Sequence, residues 1–541
     1  METANSFSGI SASKTVKSTS PQHPYAMSID TTVLDPIHFR SHLTVKNRVF
    51  RSSVTGRWDN YDGSGNQARV NWENKFAKGG VGAIISSYVP VSRDGQITPQ
   101  VATIDDDAHI PFWHIVGKTV HQHDCKYIIQ LSHSGRQRDI EGIENTLIDP
   151  RTKAIAPKRA PSTTNEADQI NGLPANNMPV AEVKRIIQDF AAAAGRAKEA
   201  GLDGIELHSS HGYLINQFLS AGINRRTPDQ GYGGDLSGRY QFLKEIVQAI
   251  RQEVGPDFHL QAKISVQEFN NIIPPWSHAG NTFDDGIQIC QWLEEDGVDA
   301  IHVSRGSTFP HPLLPSGPFP FEMLRYTFDT MTSSGGKSSF RNQILFRYRF
   351  LHSLFQWIWG RLPRKIDGRY EQPVHGLEIQ EEWLDSHFKE HVSTDTVQTL
   401  LKKHQGTVLR DAKVVKDALQ EIPVITTGGF QQASYINAAI QEGYTDAVSM
   451  ARMLVANNDL VKTYFEHGKD IADRPCTYCN NCLGAYLEVP VGCHDIDRFY
   501  QRSIQGLSQD DAYKAAQEAL SAKNEEVMSV FKPLAKPFVP S

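Results

Sequence analysis

Two histidines and a tyrosine stand close together where a short apolar segment ends. His208, His211 and Tyr213 follow the run 203–207, which itself follows a helical segment closed by Gly201. In parallel α/β folds, the chemistry lies at the ends of buried strands. Imidazole N–H groups can bind a carbonyl oxygen, and a phenol can deliver a proton. The alternative is a pair of core histidines bonded to backbone, and spacing alone does not decide between the two.

Four of the six cysteines form a second candidate site near the C-terminus. Cys476, Cys479, Cys482 and Cys493 crowd into a short stretch of the 541-residue chain. Six cysteines are too few for a disulfide framework, so this clustering indicates metal or redox chemistry. Four thiolates at this spacing could hold a [4Fe–4S] cluster or zinc, or they could remain free thiols. The sequence leaves these three alternatives open.

The elements that must position these groups alternate between strand and helix. Short apolar runs, nearly continuous as in strands buried on both faces, are separated by segments of helical period. The expected strands are Arg48–Val54, Val81–Ser87, Tyr127–Ser132, Gly204–His208, His259–Val266, Ala300–Ser304, Pro423–Thr427 and Asp446–Ala451. No glycine fingerprint of a dinucleotide-binding fold follows any of them. The pattern therefore predicts an α/β fold, a closed (β/α)8 TIM barrel, rather than an open doubly wound sheet.

The expected helices carry start and stop signals. Pro179 is expected to open a helix that Gly201 ends, and Ser237 is a good candidate to cap the next one. A third helix is expected over residues 284–295, closed by Gly297. Their apolar positions recur three and four apart, as in helices that cover a barrel.

Composition and pattern divide the chain into parts. Residues 1–30 are rich in Ser and Thr without an apolar centre, which predicts a disordered leader rather than a secretory signal. Residues 31–500 form the expected barrel domain, residues 310–405 a large insertion between strands six and seven, and residues 501–541 a helical C-terminal tail. The aromatic and arginine-rich stretch 340–359 within the insertion favours a lid over the barrel mouth, against the alternative of a membrane-surface helix.

Overall charge excludes some classes of function. The net charge is −6 and no long basic run occurs, which argues against a nucleic-acid-binding protein. No apolar run of membrane-spanning length occurs, so membrane contact is not expected. The cytoplasm is the expected location, and the oligomeric state is left open.

Laid end to end, the motifs resemble the old yellow enzyme family of FMN-dependent NAD(P)H:flavin oxidoreductases and ene-reductases. The resemblance covers roughly residues 30–500 without the insertion. It is carried by Lys46-Asn47-Arg48, the run Gln130–Arg136, the run Asp203–Ser220, Asn224–Thr227, Tyr232-Gly233-Gly234 and Arg239. These motifs occur in order, each on the expected barrel strand, which makes the match specific.

The resemblance implies an FMN site at the strand ends. The cofactor-binding residues it implies are Ser52, Ser53, Val54, Thr55, Tyr88, Gln130, Lys263, Gly428, Gly429, Ala451 and Arg452. Thr55 would tune the flavin ring, Gln130 would bond its pyrimidine edge, and Lys263 would stabilise the reduced form. TIM barrels often bind phosphate in the loops after strands seven and eight, where glycines and an arginine occur here.

For the substrate, the resemblance implies that His208 and His211 bind a carbonyl oxygen, with Arg57 also on the substrate side. Tyr213 would protonate the α-carbon of a small α,β-unsaturated carbonyl compound, with NAD(P)H as the reductant. Three alternatives stay open: oxygen or a quinone as acceptor at the same FMN site, an iron–sulfur flavoenzyme related to dienoyl-CoA reductase, and a flavin-less scaffold tethered through the insertion.

Overall fold

The structure is a computed structural model of the 541-residue chain. It describes residues 31–56, 58–97, 100–137, 146–148, 155–157, 160–165, 175–268, 280–306, 351, 400–401, 404–485, 491–495, 498 and 508–530. The predicted leader and nearly all of the predicted insertion lie outside these ranges, as does Arg57.

Eight parallel strands close into a barrel. In chain order they are β1 (Val49–Arg51), β2 (Ala83–Pro90), β3 (Lys126–Ser132), β4 (Gly204–Ser209), β5 (His259–Gln267), β6 (Ala300–Arg305), β7 (Val424–Thr427) and β8 (Ala447–Met450). Each pairs with its chain neighbours, and β8 pairs with β1 to complete the ring. Every predicted strand is present, which confirms the TIM barrel. The first is shorter than expected, because the chain leaves the ladder after Arg51.

Helices cover the outside of the barrel. They are α1 (Gln67–Lys78), α2 (Ile110–His121), α3 (Val180–Glu199), α4 (Leu214–Leu219), α5 (Leu236–Val254), α6 (Phe283–Glu295), α7 (Leu409–Ala418), α8 (Ala433–Gln441), α9 (Arg452–Ala456), α10 (Asn481–Ala485) and α11 (Gln509–Ser529). Pro179 caps α3, and Gly201 follows it in a left-handed conformation with φ of +73°. A capping box of Thr282 and Asp285 begins α6.

The predicted cap of α5 is wrong by two positions. Asp235, not Ser237, is the N-cap, and its carboxylate accepts a hydrogen bond from Gly238 N at 2.8 Å. Asp and Ser are comparable caps, so the residue type did not separate them. Ser237 lies inside the first turn of α5.

A small antiparallel pair closes one end of the barrel. Ile37–His38 pairs with Thr44–Val45 just before β1. Ile37, Phe39 and Val45 join an apolar cluster with residues at the starts of the strands, among them Ala83 and Ala300. The amino ends of the strands are thereby sealed, which leaves the carboxyl ends for binding and catalysis.

The chain between β6 and β7 is far longer than one crossover helix needs, as predicted, since β6 ends at Arg305 and β7 begins at Val424. The helical tail is confirmed as α11, which Ser508 begins by accepting from the N–H of Asp511 and donating to its carboxylate. Among the described residues, no helix has both the length and the apolar character required to cross a membrane.

Candidate active site

The predicted imidazoles and phenol come together at the carboxyl end of β4. His208 lies within the strand and is 5% exposed. Its ring centroid is 5.2 Å from that of His211 and 4.6 Å from that of Tyr213. The three side chains therefore form one cluster, as the first interpretation of their spacing requires.

A tight turn after β4 produces this convergence. His211 has φ of +60° and Gly212 has φ of +81°, so the chain reverses through left-handed conformations. The N–H of His211 donates to Gly306 O at 3.1 Å and to Ser265 Oγ at 3.2 Å. His211 Nε2 lies 2.8 Å from Ser304 Oγ. The turn is thus tied to the ends of β5 and β6, which compensates for the disfavoured conformation of His211.

Side chains from α4 hold the same turn from behind. Asn216 Oδ1 accepts from Gly212 N, and Gln217 Nε2 donates to Gly212 O, both at 2.7 Å. Asn216 Nδ2 in turn donates to Glu268 Oε1 at 2.7 Å. Asn216, Gln217 and Glu268 are buried. The sequence analysis did not select them, although Asn216 and Gln217 lie in the same motif as the histidines.

Burial keeps the two histidines neutral. Desolvation lowers the pKa of His208 and His211 well below the ordinary imidazole value, and the nearby Lys263 and His302 lower it further. A neutral imidazole carries one N–H donor on its ring. The pair can therefore offer hydrogen bonds to a ligand oxygen without bringing positive charge.

A buried carboxylate organises the barrel interior beside this cluster. Glu206 lies two residues before His208 and is fully buried. Gln130 Nε2 donates to it at 2.7 Å, and His302 Nδ1 lies 2.8 Å from Oε2. Gln261 Nε2 also donates to Oε2. Burial raises the pKa of Glu206, but attraction to His302 and Lys263 and the hydrogen bonds from His302 and Gln130 together lower it.

Lys263 lies in this network as the predicted cation at the end of β5. Its side chain is almost entirely buried, and β4 and β5 place Lys263 opposite His208 in register. Burial lowers its pKa, while attraction to Glu206 opposes that shift. Sequence reasoning found Lys263 but missed Glu206, because their interaction needs the register of neighbouring strands.

Polar groups at other strand ends are arranged as a ligand site requires. Ser53 Oγ donates to Gln130 Oε1 at 2.9 Å, which links the loop after β1 to β3. Thr55 Oγ1, Ser132 Oγ and Ser449 Oγ are buried without a hydrogen-bond partner within the described ranges. Buried hydroxyls normally find partners, so these positions fit a polar cofactor. Ser52 and Val54 flank the same segment.

Tyr88 contributes its side chain to the wall of the cluster. Its ring centroid is 5.2 Å from that of Tyr213 and 6.4 Å from that of His208. Its hydroxyl donates to Gly95 O. The tyrosine thus ties β2, the loop after β2 and the β4 turn together.

The loops after β7 and β8 form a separate part of the site. Gly428 and Gly429 have φ of +143° and +78°, and a Cβ on Gly428 would lie 3.1 Å from Val408 N. Two glycines are therefore required here, and they leave backbone groups accessible to an anion. Ala451 caps α9, and Arg452 is its first residue. The Arg452 guanidinium donates to Asn480 Oδ1.

The four clustered cysteines line one small cavity of about 20 Å³, and Arg452 lines it too. They carry free thiols, and burial raises the pKa of Cys479 to about 12. No group of three or more His, Cys, Asp or Glu side chains in the described part of the chain is arranged to hold a metal ion. Four thiols at this spacing are the kind of donor set that iron–sulfur clusters use.

A sequence model of the NADH:flavin oxidoreductase / NADH oxidase family matches residues 32–322, more than half of the chain. The chain belongs to this family. An NADPH dehydrogenase of Halalkalibacterium halodurans is 32% identical over 273 residues, which cover 50% of this chain and 72% of the relative. An NADPH dehydrogenase of Bacillus pumilus is 34% identical over 278 residues, which cover 50% of this chain and 74% of the relative. An NADH oxidase of Thermoanaerobacter brockii is 35% identical over 278 residues, covering 51% of this chain and only 40% of the relative.

Solved structures share the fold at low sequence identity. A 2-naphthoyl-CoA reductase in complex with 2-naphthoyl-CoA has a TM-score of 0.62 at 21% identity, covering 85% of this chain and 56% of that one. Histamine dehydrogenase from Rhizobium sp. 4-9 has a TM-score of 0.56 at 19% identity, covering 86% of this chain and 52% of that one. An old yellow enzyme homologue from Zymomonas mobilis has a TM-score of 0.53 at 18% identity, covering 85% of this chain and 99% of that one.

These comparisons confirm the predicted family and the predicted barrel. The chain spans about half the length of the first two structural neighbours and less than half of the NADH oxidase. The family match ends before β7, so the glycines and Arg452 are located by the fold alone.

Proposed function

We propose that the protein reduces the C=C bond of α,β-unsaturated carbonyl compounds with NAD(P)H, using FMN bound at the carboxyl end of the barrel. The observation that carries this proposal is the cluster of His208, His211 and Tyr213, in which two neutral imidazoles lie next to one phenol. An oxygen acceptor would need no such pair of donors, and a quinone, whose carbonyl oxygen could accept the same hydrogen bonds, would need no proton on carbon. An enone needs both hydrogen bonds to its carbonyl and a proton for its α-carbon.

The residues that would hold FMN divide between two sides of the barrel mouth. The buried hydroxyl of Thr55 would bind the ring system, and Gln130, oriented by Ser53 and Glu206, would bond its pyrimidine edge. Gly428, Gly429 and Arg452 would hold the phosphate, with Ala451 beside them. When bound, FMN supplies the hydride that the β-carbon of the substrate receives.

The chain's own groups complete the reaction. The N–H donors of His208 and His211 would bind the substrate carbonyl oxygen and stabilise the negative charge that develops on it. Lys263 would oppose the charge that accumulates on the reduced cofactor. Tyr213 Oη would deliver a proton to the α-carbon. Arg57, which lies outside the described residues, stays a predicted substrate contact.

The test is anaerobic reduction of the purified holoenzyme by NADH and by NADPH, followed by reoxidation with enones, quinones or oxygen. We expect rapid reoxidation by enones in the wild type. In a His208→Asn/His211→Asn double variant, enone turnover should fall steeply while NAD(P)H-driven oxygen consumption persists. Equal loss of both activities would contradict a specific role of the histidine pair in enone reduction. Reoxidation of the wild type by quinones or oxygen, but not by enones, would favour a quinone reductase or oxidase.

A second cofactor is favoured by the shared cysteine cavity. We infer that Cys476, Cys479, Cys482 and Cys493 hold a [4Fe–4S] cluster, since four thiols at CxxCxxC spacing with a fourth nearby line a single cavity. The measurement is iron and acid-labile sulfide per chain in protein purified anaerobically. About four of each per chain supports the cluster, and zinc alone supports a structural metal. Protein with no iron, sulfide or zinc carries free thiols.

A further inference from the structure

The segment between the cysteines makes direct contacts with the glycine loop after β7. Residues 476–482 are named the cysteine loop, and residues 428–431 the strand-seven loop. Tyr478 Oη donates to Gly429 O at 2.5 Å. The side chain of Gln431 donates to Cys476 O at 2.9 Å and accepts from Cys476 N at 2.7 Å. Two links thus join the loops, and neither involves a thiol. They are coupled, because the side chains of Gln431 and Tyr478 also form a hydrogen bond.

Tyr478 is held in a conformation that its side chain disfavours. Its φ is +60°, a region that residues with a Cβ atom rarely occupy. The ring is fully buried against Met453, Leu401 and Ile471, and its centroid is 5.2 Å from that of His404. Such a conformation persists only where the surroundings impose it, and it occurs most often at functional sites.

The hydrogen bond from Tyr478 fixes the direction of a peptide group. In a trans peptide the C=O and the following N–H point in opposite directions. Because Gly429 O is anchored on Tyr478, the N–H of Phe430 is directed away from the cysteine loop. Gly429 has a positive φ and lacks a side chain, so the bond from Tyr478 orients this peptide together with the burial of Phe430 and the bond from Gln431 N to Gln405 Oε1.

We propose that Tyr478 is a positioning residue of the FMN-phosphate site, acting through the Gly429 peptide, and that the cysteine loop is a structural part of that site. This rests on the proposed function, in which the strand-seven loop and Arg452 hold the phosphate. The cysteine loop also contacts the other part of this site, because the Arg452 guanidinium donates to Asn480.

The competing explanation is that Tyr478 only fills the core. The two differ at the hydroxyl group: packing needs the ring, whereas positioning needs the Oη–Gly429 hydrogen bond. Tyr478→Phe keeps the ring and removes the hydrogen bond. Tyr464→Phe is the matched control, since Tyr464 is half-buried in the 460–464 segment and has no hydrogen bond to the strand-seven loop.

The experiment is titration of the flavin-stripped full chain with FMN and with riboflavin, followed by quenching of flavin fluorescence. Riboflavin probes the ring contacts without the phosphate. For Tyr478→Phe we expect the FMN Kd to rise about three- to tenfold, as for loss of one hydrogen bond, with an unchanged riboflavin Kd. Tyr464→Phe should match the wild type with both ligands.

An unchanged FMN Kd, or a parallel weakening of FMN and riboflavin, overturns the proposal. Wild-type protein that binds neither flavin contradicts the proposed function instead, so the two failures are distinguishable. Thermal unfolding of each stripped variant checks the fold. If Tyr478→Phe does not fold, Gln431→Met, which removes the second link, carries the same expectation.

Discussion

The two sides of the barrel mouth are built in different ways. On the β4 side, His208, His211 and Tyr213 occupy one short motif, and Asn216 and Gln217 from the next turn hold them in place. On the β7–β8 side, the contact between Tyr478 and Gly429 joins residues 49 positions apart. The first side combines local supports from α4 with hydrogen bonds from the turn to the ends of β5 and β6. The second depends on the cysteine loop, which contributes no residue of the proposed catalytic cluster.

This difference predicts that variants on the β4 side alter catalysis, whereas variants on the β7–β8 side alter cofactor retention. The largest effect is expected for Tyr213→Phe. The ring remains packed against His208, but the proton donor is lost, so alkene reduction should fall by about 10²–10⁴-fold.

Stopped-flow measurement of the two half-reactions checks this prediction. Reduction of the enzyme by NAD(P)H should be unchanged in Tyr213→Phe, and only reoxidation by the enone should slow. Tyr232→Phe is a suitable control, because the Tyr232 hydroxyl bonds Glu245 away from the cluster. Full enone turnover in Tyr213→Phe would assign the proton to another donor, such as solvent.

A smaller effect is expected for Asn216→Ala, which removes support from the turn without touching its catalytic groups. Gly212 N–H and Glu268 each lose a buried partner, which should cost about 1–3 kcal/mol of unfolding free energy. Displacement of the turn should lower kcat/KM for enones about 10- to 100-fold.

The comparison between the two sides is sharpest when Asn216→Ala is measured beside Tyr478→Phe. Asn216→Ala should leave the FMN Kd close to its wild-type value. Tyr478→Phe should leave the enone KM of the FMN-saturated enzyme close to the wild-type KM. Urea unfolding, flavin titration and steady-state kinetics on both variants supply the data. If each variant changes both quantities to a similar degree, the two sides do not act separately.

The same contrast explains what the sequence could predict. The eight strands and the β4 cluster were predictable because a short, continuous stretch of sequence determines each of them. The Glu206 network was not, since Gln130, Gln261 and His302 meet it only through the register of neighbouring strands. Tyr478 carries no motif of its own, and its contact with Gly429 depends on how the chain folds back after α9. The cap of α5 was misplaced because two good capping residues stand two positions apart.

Lys263 provides the smallest predicted effect and a test that depends on pH. Burial lowers its pKa, so its positive charge is lost at a lower pH than for an ordinary lysine. Above that point, each electron pair that reduces the cofactor should bring one more proton, taken up by Lys263. The slope of the flavin midpoint potential against pH should then become steeper by about 30 mV per pH unit, as for one extra proton in a two-electron couple.

Lys263→Arg should remove this steepening, because a guanidinium keeps its charge throughout the alkaline range. The sign for folding stability follows from the same shift. The unfolded chain binds more protons than the folded one between the two pKa values of Lys263, so stability attributable to this group rises with pH across that window. Redox titration with reference dyes from neutral to alkaline pH compares the two proteins. Equal slopes would show that Lys263 stays charged beside Glu206, because attraction to the carboxylate then outweighs the desolvation that lowers its pKa.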